Sequence, residues 1–189
     1  MPELNADQVE RFYAILAMLA IGFMVIVVTI RILAVGSDPA LDAYATIARL
    51  VEPRAIAAAW VVAVLATVGS LYFSEVAGFV PCTLCWYQRI AMYPLVIILG
   101  VALIRRDRRV ALGASALAVT GAAIAAYHVA LEWIPSLDTG ACALSAPCTF
   151  VWFRAFGVFS LPTLALTAFL LILTFVQIRD PDVTDRSDR

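Results

Sequence analysis

Residues 81–94 read Pro-Cys-Thr-Leu-Cys-Trp-Tyr-Gln-Arg-Ile-Ala-Met-Tyr-Pro, and they sit where one long apolar run ends and the next begins. Pro81 stops the helix arriving from the N-terminal side, so residues 82–85 form the first turn of a new one. Unpaired backbone N–H groups and the helix dipole favour an anion at that place, and a thiolate is stabilised there. The Cys82/Cys85 spacing suits a reversible disulfide or half of a metal site. Arg89 follows Cys85 by four residues, on the same helical face about one turn deeper, where its charge favours a Cys85 thiolate. Trp86 and Tyr87 give Arg89 a second reading, as an interfacial residue in an aromatic belt.

The chain around this stretch is 63% hydrophobic and only 14% charged, with a mean hydropathy of +0.95. Such values belong to an all-α integral membrane protein, not to a soluble domain. The net charge of −1 gives no reason to expect a nucleic-acid or acidic partner, and all thirteen basic residues are arginine. A helical span needs ~20 apolar residues, and five segments qualify: 12–33, 55–77, 86–104, 110–133 and 157–178. Arg105, Arg106, Arg108 and Arg109 connect the third span to the fourth, which places that connection in the cytoplasm and residues 82–85 outside. Arg49 and Arg54 before the second span, and Arg179, Arg186 and Arg189 after the fifth, fall on the same inner side. Glu3, Asp7 and Glu10 outweigh Arg11 ahead of the first span, which therefore starts outside.

The first span is expected to remain a transmembrane helix and not a cleaved signal peptide, because its flank is acidic and its apolar run is long. Asp38-Pro39 reads as an N-cap followed by proline at the first helical position, opening a short helix over 39–50 at the inner surface. The expected organisation is an N-terminal helix with its linker over 1–54, a four-helix bundle carrying all four cysteines over 55–178 and a cytoplasmic tail over 179–189.

Two crossings separate Cys82 and Cys85 from Cys142 and Cys148, so all four thiols share one compartment. Outside the cell that compartment preserves disulfides. Three readings are open for four such cysteines: a redox relay, structural disulfides that staple exterior loops, and a metal module using four thiolate ligands. An oxidising exterior disfavours the last, and no metal is expected.

Depth sharpens the choice. His128 lies eighteen residues beyond Val110, ~27 Å up the fourth span at 1.5 Å per residue and close to the outer edge of a ~30 Å core. That is the level of Arg89. Glu75 and Glu132 fall in the same layer, and ionisable residues inside a membrane bundle mark function.

A dithiol that cycles must pass its electrons on. The chain has no Gly-x-Gly-x-x-Gly fingerprint and a single histidine, which excludes a dinucleotide fold and bis-histidine haem. A quinone dissolved in the bilayer fits, with a carbonyl on Arg89 or His128 and its ring near Cys85. Pro94 cannot bond the carbonyl of Ile90, so a kink and a pocket are expected one turn below Arg89. Ala114, Ala118, Ala122 and Ala126, with Gly113 and Gly121, form a packing stripe on the fourth span.

The stretch from Pro81 to Pro94, a Cys-x-x-Cys followed by Trp-Tyr-Gln-Arg at the head of a membrane helix, resembles the DsbB/BdbC family of disulfide-bond-forming membrane oxidoreductases. The resemblance covers residues 55–178 and is specific in the motif. It implies a four-helix bundle to which the first helix is additional. It also implies a soluble or tethered thioredoxin-fold partner of the DsbA/BdbD type on the outer face of a prokaryotic cell membrane. Electrons from that partner would enter the loop pair, pass to the Cys-x-x-Cys pair and leave on ubiquinone or menaquinone. Carried over by position, Cys142 would form the mixed disulfide, Cys148 would exchange with Cys82, Cys85 would face the quinone, and Arg89 would assist it. Only residues 143–147 separate the loop cysteines, as in the compact BdbC-like members, so the order of attack between Cys142 and Cys148 stays open. The vitamin K epoxide reductase family performs similar chemistry on a similar bundle, but its loop cysteines precede the Cys-x-x-Cys, whereas here they follow it.

Overall fold

The computed structural model describes residues 5–107, 109–138, 140, 142 and 146–178, with the side chains of 110–112 left aside. It contains six α-helices: α1 (Ala6–Leu33), α2 (Asp38–Val51), α3 (Ala55–Leu71), α4 (Thr83–Arg105), α5 (Val110–Trp133) and α6 (Leu161–Gln177). A 3-10 turn at Glu52–Arg54 joins α2 to α3, a π-helical turn at Tyr72–Val76 ends α3, and a second 3-10 turn, Pro135–Leu137, follows α5. Among the described residues the one β-bridge links Ala155 to Phe159. The tail beyond residue 178, expected in the cytoplasm, lies outside the described residues.

The helices associate through small residues, as they must where lipid supplies no hydrophobic drive between them. Ala59 and Ala63 of α3, Ala91 of α4, and Ala114, Ala118 and Ala122 of α5 are buried together around Leu95, Leu99, Phe169 and Ile172. Gly121 lets α6 close on α5: a Cβ there would run into the Phe169 ring. The outward faces stay apolar, with Ile97 71% and Ile104 84% exposed, a surface suited to hydrocarbon and not to water.

Four helical stretches are long and apolar enough to cross a membrane, while α6, at 17 residues, is shorter. It begins at Leu161 and not at 157 because Ser160 caps it: the Ser160 N–H donates to Thr163 Oγ1 at 2.6 Å. α1 begins at Ala6, six residues ahead of the expected span, taking Asp7, Glu10 and Arg11 into its first turns. α2 is present, but its N-cap is Ser37, with Asp38 and Pro39 already inside the helix. Ala48 of α2 packs with Val27 of α1 and Ile178. α4 runs unbroken through Pro94. The alanine stripe of α5 is buried at Ala114, Ala118 and Ala122 but continues at Ala125, and Ala126 is exposed.

α4 and α5 are joined by a short turn in which Arg106 takes a left-handed conformation, φ 53°, and Asp107 accepts from the Arg109 N–H at 2.8 Å. Because the two helices run antiparallel, the start of α4 and the segment after α5 lie at the same end of the bundle. Both cysteine pairs are there.

Candidate active site

Cys82 is the N-cap of α4, its backbone extended at φ −75°, ψ 174°, and its Sγ accepts from the Cys85 N–H at 3.3 Å. A sulfur here stands where serine or aspartate usually satisfies the orphan N–H groups of a first turn. The second sulfur is close: Cys82 Sγ and Cys85 Sγ are 2.9 Å apart, both as thiols. Cys82, just ahead of the span that opens at Thr83, has its thiol held well below the usual range. The hydrogen bond with the Cys85 thiol contributes most, then His128 and the Cys85 backbone N–H, against the opposing effect of burial. The first-turn N–H thus serves Cys82, whereas the sequence assigned the stabilised thiolate to Cys85.

His128 on α5 ties this turn to the loop. It is 3% exposed. The Gln88 amide nitrogen lies 3.0 Å from Nδ1; with that amide as donor, the ring proton sits on Nε2. Nε2 lies 3.1 Å from the Cys148 carbonyl, to which it donates, and 3.7 Å from Cys82 Sγ. Cys142 and Cys148 are joined in a disulfide with Cα atoms 5.8 Å apart. Cys148 is fully buried beside Cys82, Leu84 and Leu131, and Cys142 is half-buried at the edge of that cluster.

Arg89 faces elsewhere. Its Nε donates to Ser70 Oγ and a terminal nitrogen to the Ser70 carbonyl, both at 2.9 Å, while the guanidinium lies 5.1 Å from the centre of the Trp86 ring. Ser70 stands just before the π-helical turn, in which Ala77 N–H reaches back to Tyr72 O. Arg89 is therefore buried and held by a planar fork of hydrogen bonds, not extended to the interface.

Two cavities meet at Cys85. The larger, about 420 Å³, is bounded by Ser70, Cys85, Gln88, Arg89, Met92 and Tyr93, and continues between α1, α3 and α6. The smaller, about 230 Å³, lies under the loop between Cys82, Cys85, His128, Glu132, Pro147 and Phe150. Stacked rings roof them both: Phe79 on Trp152 at 4.8 Å and on Phe73 at 5.7 Å.

The expected layer of four ionisable residues thus divides. His128 and Glu132 belong to the small cavity, where Ser160 Oγ donates to Glu132 Oε2 at 2.5 Å. Arg89 belongs to the large one. Glu75 is exposed, accepting from Ser74 Oγ at 3.0 Å, and joins neither. Cys142 and Cys148 are bonded to each other, while the ligand atoms of Cys82, Cys85 and His128 stand within 4.8 Å of one another. Sequence reasoning missed Ser70 as the anchor of Arg89 and the aromatic roof; the run Phe150-Val-Trp-Phe153 was its available signal.

The family model for disulfide bond formation protein DsbB matches residues 52–178. The chain is 46% identical over 120 residues to disulfide bond formation protein C of Bacillus subtilis, an alignment covering 63% of this chain and 87% of that protein. It is 43% identical over 132 residues to probable disulfide formation protein C 1 of Bacillus cereus, covering 68% and 95%. It is 45% identical over 115 residues to a probable disulfide formation protein of Oceanobacillus iheyensis, covering 60% and 79%. No solved structure matches. The matched residues contain both cysteine pairs, Arg89 and His128, and the chain belongs to the DsbB family of disulfide bond formation proteins.

Proposed function

We propose that this chain is a quinone-dependent thiol–disulfide oxidoreductase that re-oxidises an exported thioredoxin-fold dithiol protein. The observation that supports this most is the position of Cys85, which lies between a polar cavity leading to the loop disulfide and a membrane-level cavity holding Arg89. A thiolate of the partner attacks Cys142, the more accessible loop sulfur, breaking the Cys142–Cys148 bond and leaving Cys148 as thiolate. The partner's second thiol then resolves the mixed disulfide, so the partner leaves oxidised and the loop pair holds two electrons. Cys148, buried beside Cys82, passes them on by thiol–disulfide exchange with an oxidised Cys82–Cys85 pair. The regenerated Cys142–Cys148 bond and the Cys82/Cys85 dithiol are the redox state seen here. The dithiol then gives two electrons and two protons to the quinone, forming the Cys82–Cys85 bond and a quinol.

Each group has a task that its geometry suits. His128 can stabilise the Cys82 thiolate while its Nε2 proton holds the Cys148 carbonyl in place. Arg89, presented by Ser70, favours negative charge on Cys85 and on a reduced quinone oxygen. Residues 55–178 act as the redox bundle. The cysteine end faces outward across a prokaryotic cell membrane, following the arginine distribution.

The test uses the purified chain, a reduced thioredoxin-fold dithiol protein, and ubiquinone or menaquinone, followed by quinone absorbance and partner thiol count. One quinol should form for each partner disulfide. Partner oxidation that proceeds equally without quinone, or quinone that stays oxidised throughout, refutes the reading. Impermeant thiol reagents on intact cells, after reduction, should reach both pairs; protection of both until lysis would invert the topology.

A further inference from the structure

α1 lies outside the residues matched by the family model, and it builds one wall of the large cavity. Tyr13, Leu16, Ala17, Leu19, Ala20 and Phe23 line that wall; Tyr13, Leu16 and Ala20, with Ala17 and Phe23, recur three or four residues apart along one broad helical face. The face is fastened at both ends. Near its start the Tyr13 hydroxyl donates to the Leu65 carbonyl at 3.0 Å. The Tyr13 ring fills the space that Gly69 leaves open, where a Cβ would lie 2.6 Å from Cζ. Ten residues on, ~15 Å along the axis, Phe23 stacks on Phe175 of α6 with centroids 5.4 Å apart.

Between these fastenings the cavity-facing side chains of α1 are Leu16, Ala17, Leu19 and Ala20, opposite Val62, Leu65 and Ala66 of α3 and Met92 of α4. The cavity therefore changes character along its length. Cys85, Arg89 and Ser70 supply polar atoms at one end, and between the Tyr13 and Phe23 fastenings the facing side chains of α1 and α3 are hydrocarbon. That gradient matches a ligand with a polar ring and a long hydrocarbon tail. The opposite side of α1 is exposed, Met18 by 42% and Val25 by 57%, as suits a helix with lipid behind it.

We infer that α1 is the tail-binding wall of the acceptor site: Leu16, Ala20 and Phe23 hold the polyisoprenoid tail of a quinone whose ring lies against Cys85 and Arg89. This rests on the reading of quinone as the acceptor given above. It gives the helix that precedes the family bundle a specificity role in the same reaction, with Tyr13 as the latch that positions it.

The experiment compares two ubiquinones with the same ring, one carrying a single isoprene unit and one carrying many, on the full-length chain in lipid nanodiscs. Ala20→Phe places a ring in the tail path. It should raise the ratio of the long-tailed to the short-tailed KM about tenfold, the loss expected when a few methylenes no longer find apolar contact. An unchanged ratio, or an equal rise in both KM values, overturns the inference while leaving the quinone reading intact. If the unaltered chain reduces neither these ubiquinones nor menaquinones of matching tail lengths, both fall together. A second measurement needs no variant: a ubiquinone with a photoreactive group midway along its tail should label residues 16–23 of the unaltered chain. Excess unlabelled long-tailed ubiquinone should suppress that labelling. Labelling that persists under competition, or that falls only on α4 and α6, places the tail elsewhere and overturns the inference.

Discussion

The two cavities that meet at Cys85 differ in the polar groups they offer. The smaller sets two thiols, an imidazole and a carboxylate among apolar side chains, beneath a loop closed by a disulfide. The larger has one guanidinium and otherwise mostly hydrocarbon from α1, α3, α4 and α6. Thiol exchange needs thiolates and a proton partner, and it gains from polar surroundings. A lipid-soluble acceptor needs the reverse, with one fixed positive charge where its own negative charge develops. Placing a single cysteine at the boundary lets each half-reaction keep its own medium. The comparison predicts that variants on the polar side alter the exchange, that variants on the apolar side alter acceptor kinetics, and that losing the cysteine between them uncouples the two and stops steady turnover.

Cys85→Ser should have the largest effect. Quinone reduction should be lost completely, because no disulfide can form at the turn. The Cys142–Cys148 bond should still react once with reduced partner, giving one partner disulfide per chain in a single-turnover assay. Sustained quinol production by this variant would place the electron exit elsewhere. Arg89→Ala comes next. Charge-assisted contacts are worth ~1.5–3 kcal/mol each, so the quinone kcat/KM should fall by roughly one to two powers of ten. The single-turnover reaction at the loop should keep its rate. Arg89→Lys should restore little, since one ammonium cannot reproduce the fork that meets both Ser70 Oγ and the Ser70 carbonyl. Recovery with lysine would mean that charge alone matters and that Ser70 is incidental.

How far the sequence carried this arrangement depends on the geometry each inference required. Helical spans and their order follow from apolar run length, and the gathering of all four cysteines at one end follows from counting crossings. Height along a helix is also legible, because rise per residue is constant, and His128 and Arg89 do lie toward the same end of the bundle, the one that carries the cysteines. Azimuth is not legible. Rotation of each helix is set by its neighbours, so the sequence could not tell that His128 turns to Cys82 while Arg89 turns to Ser70, or that Glu75 turns outward. The same limit displaced the α5 stripe: a four-residue repeat drifts about 40° per step on a helix of 3.6 residues per turn, and by the third step burial has passed from Ala126 to Ala125. The π-helical turn that follows Ser70 has no local sequence signature. It belongs with the packing of buried Phe73 against Phe79 and Phe153.

His128→Ala tests the polar side with a smaller expected effect. The Cys82 thiol would lose its second-largest stabilising influence while keeping the Cys85 thiol and N–H. The sign is set by the direction of the shift: a lowered thiol titrates at acid pH, so the intact protein keeps its thiolate absorbance through neutrality and loses it only as pH falls. Without His128 the acid limb should move up in pH, and partner-driven exchange at neutral pH should slow by about tenfold. Gln88→Ala should produce a weaker version of the same change by freeing the tautomer. Quinone KM should not move in His128→Ala; Gln88 also lines the larger cavity, so its variant is read on the exchange alone. A rise in quinone KM would put His128 on the acceptor side and dissolve the distinction between the two cavities.

The smallest effect is expected at Tyr93, one turn below Arg89 and beside the large cavity. Its hydroxyl is buried and has no hydrogen-bond partner among the described residues, and an unpaired buried hydroxyl costs ~1–3 kcal/mol by mutational measure. The aromatic ring is the part that packs, against the α3–α4–α6 core. Tyr93→Phe keeps that ring and removes the unpaired oxygen, so the bundle should become slightly more resistant to thermal unfolding in detergent, with turnover within twofold of the unaltered chain. A variant that unfolds at lower temperature but turns over normally would reveal a polar partner outside the described residues. A variant that stays equally stable but loses quinone turnover would mean that the hydroxyl rotates to meet the acceptor ring. In that event the apolar side of the comparison contains a second polar contact four residues from the first, and Arg89 shares its task.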